Sequence, residues 1–84
     1  MQHLDGNVLA GPLADVFSFD VTEAKGRCAG CGSESMLATA MVYADAAGYV
    51  VRCPSCDDLL ATVVVGPDRT WVSLRGVTAL EIAR

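Results

Sequence analysis

A chain of 84 residues has room for one domain, and a domain this short buries so small a share of its surface that a staple such as a metal or disulfides is expected. Ten acidic against six basic side chains give a formal charge of −4, and the basic ones are scattered at Lys25, Arg27, Arg52, Arg69, Arg75 and Arg84, which disfavours nucleic acid as a partner. No apolar run approaches the roughly 20 residues needed to cross a bilayer, and Met1-Gln2-His3-Leu4-Asp5 lacks the positive region and apolar stretch of a secretion signal, so a cytoplasmic protein without membrane association is expected.

In chain order, apolar residues at Leu4, Val8, Leu9, Leu13, Val16 and Phe17 follow the rhythm of one helical face. They predict a short N-terminal helix from about Pro12 to Phe17, with the proline in its first turn and Asn7 to Gly11 as a preceding turn or kinked extension. Asp20 to Gly26 carries an N-cap residue, a glutamate three later and a stopping glycine, which suits one helical turn or an extended approach to Cys28. Met36 to Tyr43 and Tyr49 to Arg52 flank Ala44-Asp45-Ala46-Ala47-Gly48 and predict a first antiparallel hairpin. Leu59 to Val65, the turn Gly66-Pro67-Asp68-Arg69 and Thr70 to Arg75 predict a second. Val77 to Arg84 reads two ways: Thr78 and Glu81 have capping-box spacing, whereas Leu80 and Ile82 alternate as in a strand.

These elements predict a single domain over 1–84, in which a helical segment of about 1–19 packs on a mainly-β (α+β) body of 20–84. Stretches such as Leu59-Leu60-Ala61 and Val63-Val64-Val65 are apolar at successive positions, so both faces of the sheet are expected to be covered. The N-terminal helix would cover one face, and the C-terminal segment or a second subunit the other. A hydrophobic content of 52% in so small a chain adds the expectation of self-association or another protein as partner.

All four cysteines fall in two pairs, Cys28-Ala29-Gly30-Cys31 and Cys53-Pro54-Ser55-Cys56. Two residues between paired cysteines let both thiolates of a tight turn point at one centre, and the separation of the pairs leaves room for a hairpin that brings the second turn opposite the first. Zinc, one per chain, is the default occupant of such a site, with iron as the alternative. Four protein ligands fill a tetrahedral shell and leave no position for substrate, which argues against catalysis at the metal. Lys25, Arg27 and Arg52 lie just before the pairs and read as charge compensation for the thiolates.

The glycine after Cys31 and the proline after Cys53 suit such cysteine turns, known as knuckles, while Asp57 stands where a second glycine is expected. The pair resembles the zinc-ribbon and rubredoxin-type architecture, in which cysteine turns at the ends of two hairpins clamp one metal over a small antiparallel sheet. Together with His3 to Gly11, Asp20-Val21-Thr22, Val50-Val51-Arg52-Cys53-Pro54 and Trp71 to Gly76, it is similar to a family of short bacterial zinc-ribbon proteins of unknown function, over nearly the whole chain. The resemblance implies a fold and a metal, but no activity.

The remaining candidates have simpler readings. His3 is the lone histidine and lies near a terminus, away from a ligand set that the cysteines already complete. Trp71, Met36 and Met41 read as packing residues, Asp5-Gly6-Asn7 as a turn, and Asp57 and Asp58 as a solvated turn with no histidine or serine partner for acid–base chemistry. A non-enzymatic interaction module is therefore expected. A rubredoxin-like electron carrier is the rival, although only five aromatic residues are present for the aromatic-rich core of that group.

Overall fold

Residues 3–82, the part of the chain that the computed structural model describes, are built of strands of two to seven residues, short 3₁₀ turns and irregular connections. The strands are β1 (Leu4–Asp5), β2 (Lys25–Cys28), β3 (Glu34–Met36), β4 (Met41–Ala44), β5 (Gly48–Arg52), β6 (Leu59–Val65), β7 (Thr70–Ser73) and β8 (Val77–Glu81). They form two antiparallel sheets, one of five strands in the order β1-β4-β5-β6-β7 and one of three in the order β3-β2-β8.

The expected N-terminal helix is not formed. Asp5 caps a 3₁₀ helix over Gly6–Leu9 by accepting the Asn7 N–H at 3.0 Å. Beyond it the chain coils through mixed turns, with Leu13 donating to the Leu9 carbonyl at 3.0 Å and Ala14 to Gly11 at 3.2 Å. Pro12 has no N–H to give, and the flanking Gly11 raises the entropy cost of a regular helix, so no continuous ladder develops. The periodicity still marked apolar anchors: Leu9 and Leu13 are buried and Phe17 is half-buried, although Val16 is exposed. Packing, not helix propensity, holds this segment.

Asp20 accepts both the N–H and the hydroxyl of Thr22, at 3.1 and 2.6 Å, and so starts a 3₁₀ turn at Val21–Glu23. Ala24 then leads extended into β2, so the turn and the extended approach to Cys28 both occur, one after the other.

The strand expected over Met36 to Tyr43 is broken in two by a 3₁₀ turn at Leu37–Thr39. Its first part, β3, pairs with β2 in the small sheet, and its second, β4, pairs with β5 in the large one. The break is where the chain crosses between sheets. Leu37 and Ala40 are buried there, and the Leu37 N–H is held by the Ala24 carbonyl at 2.9 Å. Gly6 packs directly on the Leu37 carbonyl, where a Cβ would overlap it. At the C-terminus the strand reading is realised: β8 pairs with β2 through Gly26↔Leu80 and Arg27↔Ala79, and the Thr78 hydroxyl donates to the Arg27 carbonyl at 3.4 Å rather than capping a helix. Residues 83 and 84 of the predicted Val77–Arg84 segment lie outside the described residues.

Register puts Val42, Val51 and Ala61 opposite one another on one face of the large sheet, and they are buried with Val63, Leu9, Leu13, Val21 and Leu37 in a single core. The opposite face carries Tyr43, Val50, Thr62, Val64 and Trp71. It is open to solvent where Val64 is 44% and Trp71 56% exposed. The C-terminal segment is thus not the layer over this face, since β8 belongs to the other sheet. Trp71 and Met36 are exposed and Met41 is half-buried, against their reading as packing residues.

Candidate metal centre

Each cysteine pair occupies the loop of a hairpin, the first between β2 and β3 and the second between β5 and β6. One hairpin comes from each sheet. Both strands entering these loops carry a register shift, between Arg27 and Cys28 in the β2–β8 pairing and between Val51 and Arg52 in the β5–β6 pairing. Such irregularities bend a strand and re-aim its end, here toward the first cysteine of each knuckle.

The two knuckles repeat the same backbone. Cys28 donates its N–H to the Ser33 carbonyl at 2.9 Å and Cys53 to the Asp58 carbonyl at 2.8 Å. The Gly32 and Asp57 N–H groups return to the Cys28 and Cys53 carbonyls at 2.8 and 2.9 Å. Gly32 and Asp57 take φ of 76° and 66°, so the aspartate does adopt the left-handed conformation that its position demands. In each turn the second residue after the cysteine donates to its sulfur: Gly30 N–H to Cys28 Sγ at 3.3 Å and Ser55 N–H to Cys53 Sγ at 3.4 Å. Donors aimed at sulfur stabilise thiolate charge.

The sulfurs converge across the knuckles. Cys28 Sγ lies 3.6 Å from Cys56 Sγ, Cys31 Sγ lies 3.8 Å from Cys53 Sγ, and all four are within 4.8 Å of one another. A tetrahedron of sulfurs about 2.3 Å from a central ion has edges of about 3.8 Å. The cluster therefore has the dimensions of a four-sulfur metal shell. Cys28 and Cys53 form its buried floor, Cys31 and Cys56 its exposed rim.

Electrostatics favour a cation at the centre. Burial opposes ionisation of Cys53, yet the N–H groups of Cys56 and Ser55, with the thiols of Cys31 and Cys56, outweigh it and pull this thiol down to about 7. The Asp58 backbone favours the Cys56 thiolate, but desolvation and the crowding sulfurs of Cys31, Cys28 and Cys53 push Cys56 up to about 12. Cys31 is also raised: the Ser33 backbone favours its thiolate, while burial and the sulfurs of Cys53 and Cys28 oppose it. One thiol ionises readily and its neighbours then resist, because like charges this close repel. A divalent ion reverses that repulsion.

Contacts across the pair add a feature that residue spacing did not single out. Ser33 Oγ and Ser55 Oγ meet at 3.2 Å, and the Asp58 carboxylate leans over Gly30. The sixth residue of each knuckle thus meets the third of the other, Ser33 with Ser55 and Asp58 with Gly30, and aligning residues 28–33 with 53–58 is the sequence signal that would have found it.

Of the basic residues expected to compensate the thiolates, two have partners outside the sulfur cluster. Arg27 pairs with Glu34 at 2.7 Å, and Arg52 donates to the Asp57 carbonyl at 3.0 Å, bracing the second knuckle. Lys25 lies on β2 opposite Met36 and Glu81. His3 is outside the cluster, its ring 6.0 Å from that of Tyr43. Asp57 and Asp58 are exposed, and Asp5 is the cap of a turn. No helix among the described residues is long and apolar enough to cross a membrane.

Fold and site together define a small antiparallel β domain whose two hairpin loops present a four-cysteine cluster suited to one metal ion. A model of a family of unknown function, DUF6510, matches residues 1–84, and the chain belongs to that family. No curated protein and no solved structure matches it.

Proposed function

We propose that Cys28, Cys31, Cys53 and Cys56 hold one structural zinc ion that clasps the two sheets, and that the protein is a non-enzymatic cytoplasmic module whose acidic, apolar-rich surface engages another protein. The observation that carries the metal reading is the pair of cross-knuckle sulfur separations, 3.6 and 3.8 Å, at the edge length of a tetrahedral sulfur shell. Zinc suits four thiolates, has no redox chemistry of its own, and when held by four protein ligands keeps no open position. Four protons lost and a divalent ion gained would take the formal charge from −4 to −6, which further disfavours nucleic acid.

Elemental analysis with X-ray absorption is the test. One zinc per chain, with four sulfurs at about 2.3 Å, is expected. A metal-to-chain ratio near one-half, or nitrogen in the shell, would overturn the assignment. Iron in the same shell, passing one electron to a partner enzyme, is the rival reading, and the exposure of Cys31 and Cys56 would leave such a centre within reach of that partner. A coloured protein that contains iron would establish it. Salt-dependent, sub-micromolar binding to DNA or RNA in a mobility-shift titration would overturn the protein-partner reading.

A further inference from the structure

Two cavities of about 330 Å³ each adjoin at the edge of the molecule away from the cysteines, and Phe19 and Asp20 line both. Leu13 and Phe17 line the first, and Ala24, Met36 and Ile82 line the second. Phe19 lies between them, and its ring meets that of Phe17 at 5.5 Å between centroids, tilted by 53°. Met36 and Ile82 are 39% and 44% exposed at the open side. Aromatic rings and methionine are side chains enriched at protein interfaces, and methionine adapts its shape to what it meets.

Among the described residues, the charge lining this groove has one sign. Asp20 and Glu23 line it, and no lysine or arginine among the described residues does. Glu23 forms no ion pair among those residues, and Asp20 holds Thr22 through one carboxylate oxygen only. The nearby bases Lys25 and Arg27 line a separate, smaller cavity that contains Glu34 and Glu81.

Resting on the reading that the surface engages another protein, we propose that this groove docks a cationic amphipathic peptide segment of the partner. Its apolar side chains enter the two cavities on either side of Phe19, and its lysine or arginine side chains meet Asp20 and Glu23. Complementary charge selects this occupant over the others. A second copy docking through the same patch brings the same carboxylates against themselves, and an acidic segment meets the same repulsion. Apolar contacts supply the affinity, and the carboxylates supply orientation and choice of partner.

The test uses the full metal-loaded chain, isotope-labelled and titrated with an amphipathic Lys/Leu peptide of about 18 residues. A control peptide of the same pattern has Glu in place of Lys. Expected are saturable shifts at Phe19, Glu23, Met36 and Ile82 with the Lys/Leu peptide, weakening as salt rises from about 0.05 to about 0.5 M. The Glu peptide should leave those signals in place. Glu23→Lys, an exposed change, should weaken binding roughly three- to tenfold, and Met36→Asp should abolish it, with metal content and circular dichroism of both variants unchanged. Equal binding of both peptides, shifts centred elsewhere, or indifference to Glu23→Lys would overturn the proposal. So would a dimer in light scattering that Met36→Asp dissolves, since a second copy would then fill the groove. A native partner captured by cross-linking and retained by the Glu23→Lys, Met36→Asp double variant would end the groove assignment while leaving the interaction-module reading standing.

Discussion

Replacing Cys56 by serine separates metal stapling from ordinary packing, because Cys56 lies on the exposed rim of the cluster. An exposed substitution away from special features changes stability by less than about 0.5 kcal/mol, and in a domain of this size each kcal/mol moves Tm by about 4–8 °C. Packing alone therefore predicts a shift of less than about 4 °C. Structural zinc in finger peptides contributes roughly 10–16 kcal/mol of apparent binding energy, comparable to the whole stability of an ordinary domain. An even quarter share of the lower figure for each sulfur predicts a fall of at least about 10 °C for Cys56→Ser. The buried Cys53→Ser variant should fall at least as far, since it also places a hydroxyl among apolar neighbours and removes the acceptor of the Ser55 N–H. Thermal unfolding followed by circular dichroism, with metal content measured on the same samples, gives the values. A strong chelator should lower the parent to or below the variants, because the sheets lose their clasp. A Cys56→Ser protein that melts within about 4 °C of the parent, together with a parent indifferent to chelator, would refute the stapling argument.

Zinc binding to apo protein near pH 7 should release the protons of Cys31 and Cys56, since both thiols are raised in the metal-free cluster while Cys53 is already partly ionised. Metal affinity must therefore rise with pH and fall on acidification, and calorimetry in two buffers of different ionisation enthalpy counts the protons; release of fewer than one would contradict the sulfur shell. Asp57→Gly should stabilise the second knuckle by up to about 1 kcal/mol and Gly32→Ala should destabilise the first by about as much, because both positions hold left-handed backbone; denaturant titration reads both. Gly6→Ala should cost about 3 kcal/mol in the same assay, because its Cβ meets the Leu37 main-chain carbonyl, which cannot rotate aside as a flexible side chain would.

The cysteine spacing and the turn chemistry around it were enough to indicate a shared metal site, because ligand geometry is local: a two-residue gap aims two sulfurs at one point, and Gly32 and Asp57 supply the backbone bend. The strand over Tyr49 to Arg52 and the hairpin that joins Leu59–Val65 to Thr70–Ser73 were legible for a similar reason, since β-branched runs and Gly-Pro-Asp are short-range signals. What tertiary structure alone decided was partition between layers. Nothing in Met36 to Tyr43 shows that its two halves enter different sheets; that depends on Leu37 and Ala40 finding a core built largely by distant residues such as Leu9, Leu13 and Val51. The apolar rhythm of Leu4 to Phe17 was right about which side chains anchor the segment and wrong about its backbone, because burial selects positions, while Pro12 and the glycines set the conformation. Whether Val77 to Glu81 would cap a helix or pair with β2 was likewise settled by a free strand edge that lies some fifty residues away in sequence and appears only once the chain has folded.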